Sequence, residues 1–193
     1  MEKLSRDDLY SLEEYAQRRA GFREEVLKHK QPRQVRIGEH LTLYFEDRLT
    51  MQYQVQEMLR IEKIFEAQGI QEELDAYNPL IPDGDNLKAT MMIEYDDVEE
   101  RRQALAQLVG IEDKTWIQVE GHDKVYAIAD EDLERSDAGK TSAVHFARFQ
   151  LNGDMIQSLK AGEELSAGSD HPHYRQSITL ADEARAALVA DLG

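Results

Sequence analysis

Hydrophobic and polar positions along this 193-residue chain change period several times, and each change marks an element. Ser5 has the chemistry of a helix N-cap, with Asp7 and Asp8 in the first turn where the helix dipole favours acids. Helical spacing follows to Lys30, with a break near Ala20-Gly21, and Pro32 enforces the stop. Residues 35–37 and 41–45 then alternate around Gly38-Glu39-His40, the pattern of a hairpin. Over 50–66 the period returns to helical, and Met51, Val55, Met58, Ile61 and Phe65 share one face. Glu62 projects into the middle of that apolar arc.

A shorter helix at 71–76 runs into the Pro- and Gly-bearing turn at 78–84. Residues 89–95 read as a strand. Asp96 or Asp97 caps the next helix, striped by Val98, Leu105 and Val109 and closed by Gly110. Residues 115–119 and 125–129 form a second hairpin, and 142–151 a long strand. A helix at 152–161, short strands at 164–167 and 175–179, and a helix at 179–191 complete the pattern. Short connections without regular βαβ alternation predict an α+β fold. Its antiparallel or mixed sheet core carries N-terminal helices and interspersed packing helices. Residues 1–193 read as a single domain, with a helix-rich part at 1–80 that contains a hairpin and a mixed part at 86–193.

Composition narrows the chemistry. The chain has no cysteine, which excludes disulfides, cysteine-ligated clusters and thiol catalysis. No apolar run reaches the ~20 residues of a membrane span, and the first residues lack the apolar core of a signal peptide, so a cytoplasmic protein is expected. A net charge of −16 argues against nucleic acid as a partner. The charge is uneven. Residues 16–36 carry Arg18, Arg19, Arg23, Lys28, Lys30, Arg33 and Arg36 against Glu24 and Glu25. Residues 46–100 are strongly acidic. Arg18, Arg19 and Arg23 are therefore candidates to dock an acidic surface, the chain's own or a partner's.

Asp170-His171-Pro172-His173-Tyr174 is the densest patch of candidate chemistry. Pro172 biases His171 toward an extended backbone, where residues two apart point the same way. His145 sits on the strand at 142–151, flanked along its face by Ala143 and Ala147. With Asp170, His171 and His173 it forms a candidate site for iron, zinc or manganese. Glu62, a carboxylate on an apolar arc, must pair, coordinate, protonate or sit at a surface edge, and it is the candidate acid–base group. Gly139-Lys140-Thr141 fails as a phosphate loop, because Glu134 stands where the pattern requires Gly.

Four ordered blocks resemble a bacterial family of unknown function. They are the run from Phe45-Glu46-Asp47-Arg48 through Glu62, the run from Glu72 through Tyr77-Asn78-Pro79-Leu80-Ile81-Pro82, Lys140-Thr141-Ser142-Ala143-Val144-His145-Phe146, and Asp170-His171-Pro172-His173-Tyr174. Genes of that family often neighbour those of rubrerythrin-like and iron–sulphur or flavin-linked oxidoreductases. The resemblance therefore implies an accessory role in a redox or oxidative-stress system, with such an oxidoreductase as partner. A metal-dependent enzyme built on His145, His171 and His173, and a non-catalytic interaction domain, are the alternatives.

Overall fold

The computed structural model describes residues 1–133, 135–136 and 139–193; Glu134, which breaks the phosphate-loop spacing, lies outside them. In chain order the elements are α1 (Leu12–Lys30), β1 (Gln34–Ile37), β2 (Leu41–Phe45), α2 (Arg48–Glu62), α3 (Ala67–Tyr77), β3 (Asn86–Ile93), α4 (Val98–Gln107) and β4 (Thr115–Val119). There follow β5 (Val125–Tyr126), β6 (Ile128–Ala129), β7 (Val144–Gln150), α5 (Gly153–Ala161), β8 (Leu165–His171), β9 (Tyr174–Thr179) and α6 (Asp182–Val189). The strands form two antiparallel sheets, one of five in the order β1-β2-β3-β7-β6 and one of four in the order β5-β4-β8-β9. This is an α+β fold.

Local chemistry sets the boundaries. Ser11 caps α1 by accepting from the Glu14 backbone N–H, while Ser5 caps only a short 3₁₀ turn. Asp47 caps α2 in the same way through Thr50, and Asp97 caps α4. In β2 and β3 alternation sends Leu41, Leu43, Phe45, Leu87, Ala89, Met91 and Ile93 into the core between the two sheets, where they meet Ile117, Val119, Leu165 and Ala167. A second apolar cluster, Leu4, Met51, Val55, Leu59, Leu74 and Ile81, holds the helical layer together.

Besides the chain crossings at β3–β4 and β7–β8, the sheets are tied along both sides. The stretch expected to be one strand at 125–129 bends at Ala127, so β5 pairs with β4 while β6 pairs with β7. On the opposite side Tyr174 Oη donates to the Ile37 carbonyl (2.7 Å) and accepts from the His40 N–H (2.9 Å). Arg33 is buried just before β1, at the end of that strand remote from Ile37. It grips both Asp191 carboxylate oxygens at 2.7 and 2.9 Å and lies 3.0 Å from Asp47, on which His29 also bears at 2.5 Å. Among the described residues, no helix is long and apolar enough to cross a membrane.

The apolar stripe of α2 departs from the expected phase. Met51, Val55 and Leu59 are buried, whereas Ile61 and Phe65 are 61% and 72% exposed. Lys63 adopts a left-handed conformation (φ 56°) that ends the helix, so Phe65 never joins its face.

Candidate functional site

The outward faces of β2 and β3 are polar, and the helical layer does not fully cover them. Between the sheet and the helices lies a cleft of about 490 Å³. Tyr44, Glu46, Thr90 and Glu94 face it from the sheet side, and Met51, Gln54, Tyr77 and Leu80 from the helical side, with Lys30 also lining it. A second hollow of about 290 Å³ shares Leu80 and Phe146 with it and continues past Lys88 and Arg148.

Two carboxylates are held there by matching bonds. Thr90 Oγ1 donates to Glu46 Oε1 at 2.8 Å, and Thr42 Oγ1 donates to Glu94 Oε2 at 2.7 Å. Thr42 pairs with Met92 across the β2–β3 ladder and Tyr44 with Thr90, so the two threonines are diagonal neighbours about 7–8 Å apart. The Tyr44 hydroxyl gives Glu94 Oε1 a second bond at 3.2 Å, and burial, then the Glu94 charge, pushes that phenol above its usual range. Glu46 is the odd member. It is 6% exposed, yet its Oε2 is buried with no hydrogen-bond partner among the described residues. A buried acceptor left unpaired costs about 1–3 kcal/mol, and more when charged.

His145 is fully buried on the core face of β7, as the alternation predicts. Its Nδ1 lies 2.6 Å from Asp130 Oδ2, and its Nε2 lies 2.8 Å from Thr141 Oγ1 and 3.0 Å from the Ser142 carbonyl. Thr141 Oγ1 in turn donates to Glu112 at 3.2 Å and lies 2.9 Å from Ser136 Oγ. Asp130, His145 and Thr141 have the connectivity of an acid–base–nucleophile triad. Thr141 is only 1% exposed, however, and no substrate carbonyl can reach its hydroxyl. The network is a polar knot tying Asp130, Ser136 and Thr141 to β7.

The expected shared ion site does not form. Strand β8 runs through Asp170 and His171 into a two-residue turn, Pro172-His173, and His171 pairs with Tyr174. Adjacent strand residues face opposite ways, so Asp170 and His171 diverge. Asp170 accepts Lys124 Nζ at 2.9 Å and the Tyr126 hydroxyl at 2.7 Å, which hold its carboxyl below the usual range. His171 is buried. Its Nδ1 accepts the His173 N–H (3.2 Å), so its Nε2 donates to the Val109 carbonyl (3.1 Å). No lone pair remains on that ring for a metal. His173 stands exposed in the turn, and His145 belongs to the other sheet with both nitrogens engaged. Among the described residues no three His, Asp or Glu side chains converge as a ligand set.

Glu62 is the exposed last residue of α2, outside the buried stripe. The premise of a buried acid–base group is thereby removed. In the basic stretch, Arg19 is committed internally: its Nε and Nη2 reach both oxygens of Glu57 at 2.7 and 2.9 Å. Arg18 and Arg23 stay exposed, with the Arg18 guanidinium 5.1 Å from the centre of the Tyr10 ring.

Residues 3–192 match a family described as "Protein of unknown function (DUF3501)". The chain belongs to this family. It is similar over 100% of both chains, at 54% identity and a TM-score of 0.95, to a crystal structure described as a novel protein of unknown function from Burkholderia pseudomallei K96243. A search of the curated proteins found no match. In this DUF3501 chain the cleft has a signal in the sequence. Thr42-x-Tyr44-x-Glu46 and Thr90-x-Met92-x-Glu94 each alternate polar or large residues onto one strand face and end on a carboxylate.

Proposed function

We propose that this chain is a cytoplasmic accessory protein of a bacterial redox or oxidative-stress system, acting by holding a ligand in the β2–β3 cleft rather than as a free-standing catalyst. One observation carries the reading. Tyr44, Glu46, Thr90 and Glu94 line an open cleft, whereas the residues with triad-like connectivity around His145 are buried. A cleft with mixed apolar and polar walls and a few fixed polar groups is the usual form of a ligand site. The redox setting rests on the family resemblance, and the exposed Arg18 and Arg23 supply a surface for an acidic oxidoreductase partner.

The test is isolation from native cells at low and then moderate salt, with native mass spectrometry on the product. A retained small molecule that is lost when Met92→Trp fills the cleft supports the reading, as does a rubrerythrin-like or iron–sulphur oxidoreductase that dissociates as salt rises. A protein that comes out alone and turns over a small molecule, with Met92→Trp as active as the parent, overturns it.

A further inference from the structure

We propose that two copies of this chain associate through β9, pairing antiparallel about Ser177 so that their four-stranded sheets join into one. β9 ends the order β5-β4-β8-β9, and residues 175–179 are all exposed. The register fixes which backbone groups are already used. The Leu180 N–H donates to the Leu165 carbonyl at 2.8 Å, and the ladder runs unbroken from Ser166↔Thr179 to His171↔Tyr174. Bonded and non-bonded pairs alternate along an antiparallel ladder. Ile178, Gln176 and Tyr174 therefore bond β8, while the N–H and C=O groups of Arg175, Ser177 and Thr179 point to the free edge.

Three features select a second copy as the occupant. The outward set is symmetric about Ser177, so an identical strand running in reverse matches it. Ser177 then meets Ser177 of the second copy, and each Arg175 meets the other Thr179, three pairs that exchange about six bonds. Charge fits the same register. Arg175 is the one charged residue of β9, so no like charges stand opposite, and it forms no ion pair among the described residues. Just past Thr179 the exposed Asp182 and Glu183 open α6; Asp182 is held by Arg185, which leaves Glu183 to face the other copy's Arg175. Finally, the edge is unguarded. Such edges are commonly blunted by Pro, Lys, a bulge or shortness. β9 has six residues and none of these devices, whereas β5 at the opposite edge has two. β1 approaches only the Tyr174 and Gln176 side chains, on the other face from Arg175 and Ser177, and does not pair with β9.

Sedimentation velocity over a concentration series tests the pairing. The mass should rise from monomer to dimer and stop there, as a closed two-fold requires. Ser177→Pro removes the N–H at the axis but no bond of the β8–β9 ladder. It should abolish the dimer and leave the circular dichroism unchanged. Because the chain has no cysteine, single cysteines report the register. Ser177→Cys, with Cα atoms about 5.5 Å apart across the pair, should cross-link with dibromobimane. Thr179→Cys, about 13 Å from its copy along the strand, should not. Should Ser177→Pro fail to fold, the two cysteine variants decide. A dimer that Ser177→Pro leaves intact, cross-linking at both positions or at neither, or growth beyond a dimer overturns the proposal. So does a chain that stays monomeric up to about 1 mM, whether or not a foreign strand then occupies the edge.

Discussion

Asp130 Oδ2 lies 2.6 Å from His145 Nδ1, and the residue making this contact has a left-handed backbone, φ 54°. Asp is one of the few residues that visit this region at modest cost. Its other carboxylate oxygen accepts the Phe146 N–H and an Arg135 N–H, each at 3.1 Å. One side chain therefore organises a strand, a cation and a buried ring.

Replacing Asp130 with Asn keeps the shape and the tolerance of positive φ but removes the charge. The expected loss is about 1.5–3 kcal/mol, as for a hydrogen bond to a charged group. Asp130→Ala should cost more, since strain is added to the lost bonds. Urea denaturation of both variants checks the order; an Ala variant as stable as the Asn variant would show that the backbone is not strained.

Glu57 gives a pH-dependent prediction. The Arg19 hydrogen bonds, helped by Tyr15 and Arg60, depress its carboxyl from 4.5 to about 2. A depressed folded-state value means that the stabilisation is fully present above about pH 4.5 and is lost as pH falls toward 2. The difference in melting temperature between the parent and Glu57→Gln should therefore be largest near neutrality and shrink through that window. A constant difference across it would place the effect in packing instead.

Gly38 and Tyr174 should be energetically coupled. A Cβ on Gly38 would sit 2.7 Å from Tyr174 Oη, and the backbone there has φ 69°. Gly38→Ala should destabilise by more than the ~1–2 kcal/mol of the left-handed conformation alone. In a Tyr174→Phe background the same change should cost less, because the clashing oxygen is gone. A double-mutant cycle showing no coupling contradicts this account.

The basic helix divides into two kinds of arginine. Arg19→Glu should lower the melting temperature sharply, since it faces Glu57 in a partly buried pair. Arg18→Glu with Arg23→Glu should change stability by less than about 0.5 kcal/mol. That pair of changes should weaken association with an oxidoreductase partner at low salt, and less so as salt rises. Unaltered association at low salt takes the helix out of the interface.

Much of this architecture can be read from alternation and caps. The hairpin of β1 and β2, the strand faces of β7 and the Asp97 cap follow from two-residue and helical periods that burial reinforces. The errors have physical causes. On α2 the apolar Ile61 competes with Leu59 in the pattern, and it is Leu59, four residues from Val55, that packs inward beside a Gln56 bonded to the Tyr10 backbone. In the histidine block, Pro172 occupies a turn instead of extending a loop, so β8 and β9 are longer than composition implies. The free oxygen of Glu46 depends on where its neighbours end, which no one-dimensional pattern records.

The ion pair of Arg33 with Asp191 sets a schedule for the chain's synthesis. The partners stand 158 residues apart. At ribosomal rates of about 5–20 residues per second, roughly 8–30 s pass between the appearance of the cation and that of its principal anion. Burying Arg33 before Asp191 emerges would leave its guanidinium with Asp47 as its chief anion, so the full ion-pair set of Arg33 can be completed only once the last residues of the chain are made.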